Sequence, residues 1–291
     1  MRGLAFALVF TSAFVHATWN TAIRGLKGNT PVLVFAHFIG TVMSFPVVVY
    51  LDGDFYHTMV AAHVGWIYLA SSIVHALYII LLSTAYIYGD VGLVYPLARG
   101  TAIVLSTWGS QAFTEGEGLN SAELGGVAVV VLGIFGLFID ASRNAMSKVP
   151  LLVSIGLALC VGCCTASYSI LDSLGVQQAP ALTWSFAMNA LSIGMLLPFL
   201  LLFYKDMATE AITDHWKVII MIAPFTVGAY LIVLFVFSFP DVNVALVVTL
   251  REFAVLVGAT FGVLFLGERC TILKFASILC MLAGMLVIKV A

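Results

Sequence analysis

Apolar residues run along the chain in ten stretches of about twenty, each ended by a short polar or turn-forming break. The stretches cover roughly 3–23, 31–51, 64–88, 91–113, 121–140, 150–172, 180–203, 216–238, 242–266 and 271–290. Between them lie breaks such as Gly28-Asn29-Thr30-Pro31, Asp52-Gly53-Asp54, Glu115-Gly116-Glu117-Gly118, Lys205 to Asp214, and Gly267-Glu268-Arg269. An apolar run of that length crosses the hydrocarbon core of a bilayer as a helix. The first run follows Arg2 as a secretory leader would, but it reaches Ile23, too far for a cleaved apolar region, and predicts a first spanning helix. Runs three and four, and runs eight and nine, are separated only by turns ending in Asp90 and Asp241, carboxylates placed to cap the next helix.

The breaks recur. Asp90-Val91 matches Asp241-Val242, Gly116-Glu117 matches Gly267-Glu268, and Gly133 matches Gly284, all 151 residues apart. Ala17-Thr18-Trp19 resembles Ala166-Ser167-Tyr168 at an offset of 149. These matches predict a duplication, residues 1–148 and 149–291, of a five-helix unit. An odd helix number turns the second copy upside down, as in many carriers. The expected fold is an all-α membrane protein of about ten transmembrane helices in a 5+5 inverted-repeat bundle. With the N-terminus outside, the inner loops would hold Arg24, Lys27, Arg143, Lys148, Lys205, Lys217, Arg269 and Lys274, against Arg2 and Lys289 outside, so the Lys/Arg distribution favours external termini.

Composition agrees. Hydrophobic residues make up 62% of the 291 and charged residues 9%, against about 25% charged in soluble domains, so the solvent must be lipid. The expected place is a multi-pass position in the cell (inner) membrane. A net charge of −2 offers no field to nucleic acid. Of five cysteines, Cys160 and Cys163 form a CxxC inside an apolar run and read as small core residues rather than a redox or metal site. No HExxH, GxSxG or P-loop occurs, so neither an enzyme, a metal or cofactor site, nor an ATP-driven pump is expected on this chain. A channel would want a ring of like residues, whereas the polar residues here cluster near the middle of the runs.

Charge inside a span is costly and marks cavities or partners. Three such groups stand out: Arg99 in the fourth run, Arg251 and Glu252 in the ninth. The two arginines are expected to line a central cavity from opposite halves and to hold a carboxylate, phosphate or phosphonate. Glu252 points about 100° away from Arg251 on a helix and is placed to pair with Arg99 or to carry a coupling proton. His16, Trp19 and Asn20 share one helical face, as do His75 and Tyr78; Tyr95 lies one turn before Arg99, and Tyr168 and Tyr230 are the aromatic counterparts in the second half. All eleven are candidate substrate-binding residues, with interhelical packing as the competing reading. Pro96 would kink the fourth run, and Gly258 and Gly262 form a GxxxG suited to close packing or a homodimer.

His16-Ala17-Thr18-Trp19-Asn20, the stretch from Asp90 through Tyr95-Pro96-Leu97 and Arg99 to Gly116-Glu117, and Phe265-Leu266-Gly267-Glu268 together resemble the EamA-type branch of the drug/metabolite transporter superfamily. The resemblance covers the whole chain. It implies a carrier of amino acids, other metabolites or organophosphates, with cytoplasmic termini, against the Lys/Arg distribution. The opening motif also resembles relatives associated with phosphonate metabolism. The partners expected are a small solute, the bilayer, and a coupling proton or counter-substrate. A lipid-carrier flippase, a channel and a scaffold are the alternatives.

Overall fold

A computed structural model of the chain describes residues 3–26, 29–60, 62–88, 91–113, 118–144, 151–240, 242–266 and 271–291. The motif residues Asp90, Gly116, Glu117, Asp241, Gly267 and Glu268 lie outside these ranges, as do Arg2, Lys27, Lys148 and Arg269.

The described residues fold into helices in the order α1 (Gly3–Gly25), α2 (Thr30–Leu51), α3 (Phe55–Val60), α4 (Ala62–Tyr88), α5 (Val91–Phe113), α6 (Ser121–Asn144), α7 (Leu151–Gly175), α8 (Ala181–Phe203), α9 (Lys205–Phe237), α10 (Val244–Arg251), α11 (Phe253–Leu266) and α12 (Ile272–Val290). Among them, eight are long and apolar enough to cross a membrane on length and composition alone: α1, α2, α4, α6, α7, α8, α9 and α12. The other two expected spans are α5, made more polar by Tyr95, Arg99 and several Ser and Thr residues, and the interrupted pair α10–α11.

Side chains at the breaks start the helices. Asn29 accepts from the Val32 amide with Pro31 in the first turn of α2. Asn120 and Glu123 exchange hydrogen bonds at 2.9 Å in a capping box before α6. Thr271 accepts from the Lys274 amide at 3.0 Å. Asn243 caps α10 through the Ala245 amide at 2.9 Å.

Three elements depart from the expected pattern. The break after Asp52 holds the short helix α3. The polar stretch Lys205 to Asp214, expected as a loop, is the first third of α9. It contains no Gly or Pro to stop a helix, and it buries Ala208 and Ala211 against the bundle. The ninth run, expected as one helix, breaks at Glu252, whose amide bonds back to the Thr249 carbonyl in a tight turn.

The packing is reciprocal. α1 lies against α9 and the α10–α11 pair, as α7 lies against α4 and α5. α2 packs on α9 as α8 packs on α4, while α2 meets α8 and α6 meets α12. Small residues bring α6 and α12 close: a Cβ on Gly284 would lie 2.7 Å from the Gly126 carbonyl oxygen, and one on Gly133 would meet Ser277 and Met281. Gly258, expected at a close contact, has open space where a Cβ would go, and the side of Gly262 lies outside the described residues. Cys160 and Cys163 are exposed free thiols on α7 rather than core residues.

Candidate functional site

Six helices bring polar side chains together where α1, α5 and α10 meet α4, α7 and α9. On α1, His16 and Trp19 lie one turn apart, their rings edge to face at 4.6 Å. Trp19 is buried, its edge 6.3 Å from the His37 ring of α2, and its indole N–H has no partner among the described residues. On α5, Arg99 stacks its guanidinium 5.0 Å over the Tyr95 ring one turn earlier. One of its nitrogens lies 3.5 Å from Glu252 Oε1, the other 3.4 Å from His16 Nε2. The expected pairing of Arg99 with Glu252 across helices is therefore present in the geometry. Arg251, next in chain to Glu252, turns the other way and stacks 5.1 Å over the Tyr230 ring of α9. Its Nη1 and the second carboxylate oxygen of Glu252 are buried without a partner among the described residues.

A second polar cluster was not expected. The seventh helix continues to Gly175, so Asp172, which sequence reading placed at the end of a span, is fully buried inside it. The Ser71 hydroxyl and the Trp184 indole N–H (2.9 Å) both donate to its Oδ1. The Tyr230 hydroxyl donates to Oδ2 at 2.5 Å, with His75 Nε2 at 3.7 Å. Around it the aromatic candidates pack: His75 lies over Tyr168 at 4.1 Å, while Tyr78 and Tyr230 meet Tyr168 edge to face at 5.7 Å and 5.6 Å. Tyr230 joins the clusters, its hydroxyl on Asp172 and its face under Arg251.

These side chains enclose a cavity with about 780 Å³ of space between atoms, its mouth included. Eight of the eleven candidates line it: His16, Trp19, His75, Tyr78, Arg99, Tyr168, Arg251 and Tyr230. Asn20, Tyr95 and Glu252 do not; Tyr95 and Glu252 stand behind Arg99, and Asn20 is half-buried elsewhere on α1. His37, Asn189, Ser192 and Thr226, outside those eleven candidates, line the cavity as well. Their hydroxyl, amide and imidazole groups within apolar runs were the available signal. The charges on the lining are the two arginines, while both buried carboxylates sit behind it, so the wall is biased toward hydrogen-bond donors.

The cavity is sealed at one end. The Thr183 hydroxyl donates to Asp52 Oδ2 at 2.5 Å, Tyr68 donates to the Ala187 carbonyl at 2.7 Å, and Ser192 donates to the Ser72 carbonyl at 2.9 Å. Phe45, Phe55 and Phe186 stack across the same α2–α3–α8 corner. Toward the other end an apolar groove, lined by Thr30, Pro31, Val34, Leu196, Tyr204 and Met207 among others, shares Ile79 with the cavity.

A solved crystal structure has the same fold over nearly the full length of both chains: TM-score 0.72, with 99% of this chain and 99% of that one covered at 14% identity. Comparison with curated protein sequences gives no match. The second half of the chain, residues 152–290, matches the model of the EamA-like transporter family, and this match marks that half as EamA-like.

Proposed function

We propose that this protein is a secondary carrier for a small polar metabolite with an anionic or zwitterionic group, of amino-acid, organophosphate or phosphonate type. The observation that carries the reading is the donor-biased cavity: Arg251 faces it with an unpartnered guanidinium nitrogen, beside an unpartnered Trp19 N–H. A buried donor without an acceptor is costly, and a planar anion satisfies a guanidinium fork. Tyr78, Tyr168, Tyr230 and His75, packed mostly edge to face, supply an aromatic wall for the rest of the ligand.

Residues 1–148 and 149–291 act as inverted five-helix repeats that rock about this midplane site. Reciprocal packing supports that division, as does a family match to one half-length unit. The seal at Asp52 and Thr183, with a groove at the opposite end, fits one of the two one-sided states that alternating access requires. The apolar groove favours one second reading, a flippase for a lipid-linked polar group whose tail would lie in the groove.

Flux into proteoliposomes tests the carrier. Uptake of a labelled carboxylate, phosphonate or amino acid that falls at least tenfold in Arg251→Ala, with unchanged folding, supports it. Uptake indifferent to Arg251→Ala removes the charge-recognition part, and translocation of a lipid-linked substrate alone favours the flippase.

A further inference from the structure

Both buried carboxylates face the same cavity from behind its wall, but they are bonded very differently. Asp172 has both oxygens engaged: Oδ1 accepts from Ser71 and Trp184, and Oδ2 accepts from Tyr230 with His75 alongside. Its charge is held by neutral donors whatever the cavity contains. Glu252 has a single long contact, Oε1 to Arg99 at 3.5 Å, and its Oε2 has no partner among the described residues. It sits at the turn between α10 and α11, 1% exposed.

We propose that Glu252 is the coupling-proton site of this carrier, taking up one proton when an anionic substrate draws Arg99 toward the cavity; the inference rests on the anion reading above. Arg99 belongs to both environments, since it lines the cavity and is the hydrogen-bonding partner of Glu252. An anion that engages Arg99 competes with Glu252 for the same guanidinium. A carboxylate that loses its hydrogen-bonded counter-charge inside a protein is disfavoured as an anion and binds a proton instead. Charge balances: a substrate anion and a proton enter together, Glu252 becomes neutral, and Arg99 changes one carboxylate-like partner for another. When the substrate leaves on the far side, Glu252 ionises, returns to Arg99 and releases its proton there. The result is symport of one proton per monoanion.

The groups facing Glu252 are consistent with this exchange. α5 presents Arg99 and Tyr95, α1 presents His16, which touches Arg99, and α10 itself presents Arg251, held over Tyr230 of α9. On α7, Asp172 accepts from Tyr230 and Tyr168 packs against the same Tyr230 ring. The charged residues of α6 and α12 (Glu123, Asp140, Arg143, Lys274 and Lys289) lie toward the ends of those helices, and Cys280 donates to the Val129 carbonyl. No second carboxylate competes with Glu252 for Arg99 among the described residues.

The test is calorimetric titration of the purified full-length protein with methanesulfonate, an anion that stays ionised across pH 5.5–8, in two buffers of different protonation enthalpy. The expected result is uptake of up to one proton per anion bound, an affinity that rises as pH falls by as much as tenfold per unit, and loss of both effects in Glu252→Gln with binding retained. Wild-type binding without proton uptake, or proton uptake unchanged in Glu252→Gln, overturns the coupling assignment and leaves the anion site standing. No methanesulfonate binding, while organic-cation probes do bind, overturns the anion reading and this inference with it.

Discussion

At the scale of single residues, the two arginines on the cavity wall have different expected fates. Arg251→Ala removes a group whose Nη1 is unpartnered and whose guanidinium rests on Tyr230, so folding should change little while ligand binding weakens. Loss of one charge-assisted contact, about 1.5–3 kcal/mol, corresponds to roughly a ten- to hundredfold weaker affinity by equilibrium titration. Arg99→Ala leaves Glu252 buried and unpaired, at a cost of about 3–5 kcal/mol. A lower melting temperature is therefore expected for Arg99→Ala, largely restored by adding Glu252→Gln. Equal stability of the single and double variants would show that the pair is not what Glu252 costs the fold. Asp172→Asn turns one acceptor atom into a donor that faces the hydroxyl of either Ser71 or Tyr230, and about 1–3 kcal/mol should be lost.

Most of the cavity wall was legible in the chain because charge and paired aromatics are rare inside apolar runs: Arg99, Arg251, His16, Trp19, His75 and Tyr78 stood out on that ground. Asp172 did not, for a physical reason. A carboxylate at the end of an apolar run looks like the water boundary, and the donors that make its burial tolerable come from α4, α8 and α9. Asn20 failed in the opposite sense. Spacing put it near the face of His16 and Trp19, but a few tens of degrees of helix rotation separates the cavity from the helix flank.

At the scale of elements, runs and breaks located the spans, and local chemistry decided the rest. α9 extends back to Lys205 because nothing in that polar stretch stops a helix. α10 and α11 divide at Glu252 without a Gly or Pro, so no sequence signal announced the turn. The α6–α12 crossing gives a sharper prediction. Gly284→Val would drive its side chain into the Gly126 carbonyl and Val130, at about 1–3 kcal/mol or more, whereas Gly258→Ala enters open space. Thermal unfolding in detergent should separate the two variants by several degrees; equal stability would mean that the crossing is looser than described. At the sealed end, Thr183→Val removes the hydrogen bond to Asp52 and should raise alkylation of a cysteine introduced at Ser192 on the cavity wall.

At the scale of the whole molecule, the reciprocal helix packing links the two halves through the same polar centre. The Arg99–Glu252 contact and the Tyr230, Trp184 and Ser71 bonds to Asp172 cross or flank that interface. On the carrier proposed above, a rearrangement that opens this end would carry the lining with it and expose one site to two sides. The measurement that tests the central claim most directly is the thermal stability of the purified protein against carboxylates, phosphonates, amino acids, sugars and organic cations, in wild type and Arg251→Ala. A ligand that binds only the folded state raises the melting temperature. The account predicts that an anionic or zwitterionic compound raises it in wild type and fails to in Arg251→Ala; a cation that stabilises both proteins equally would contradict it.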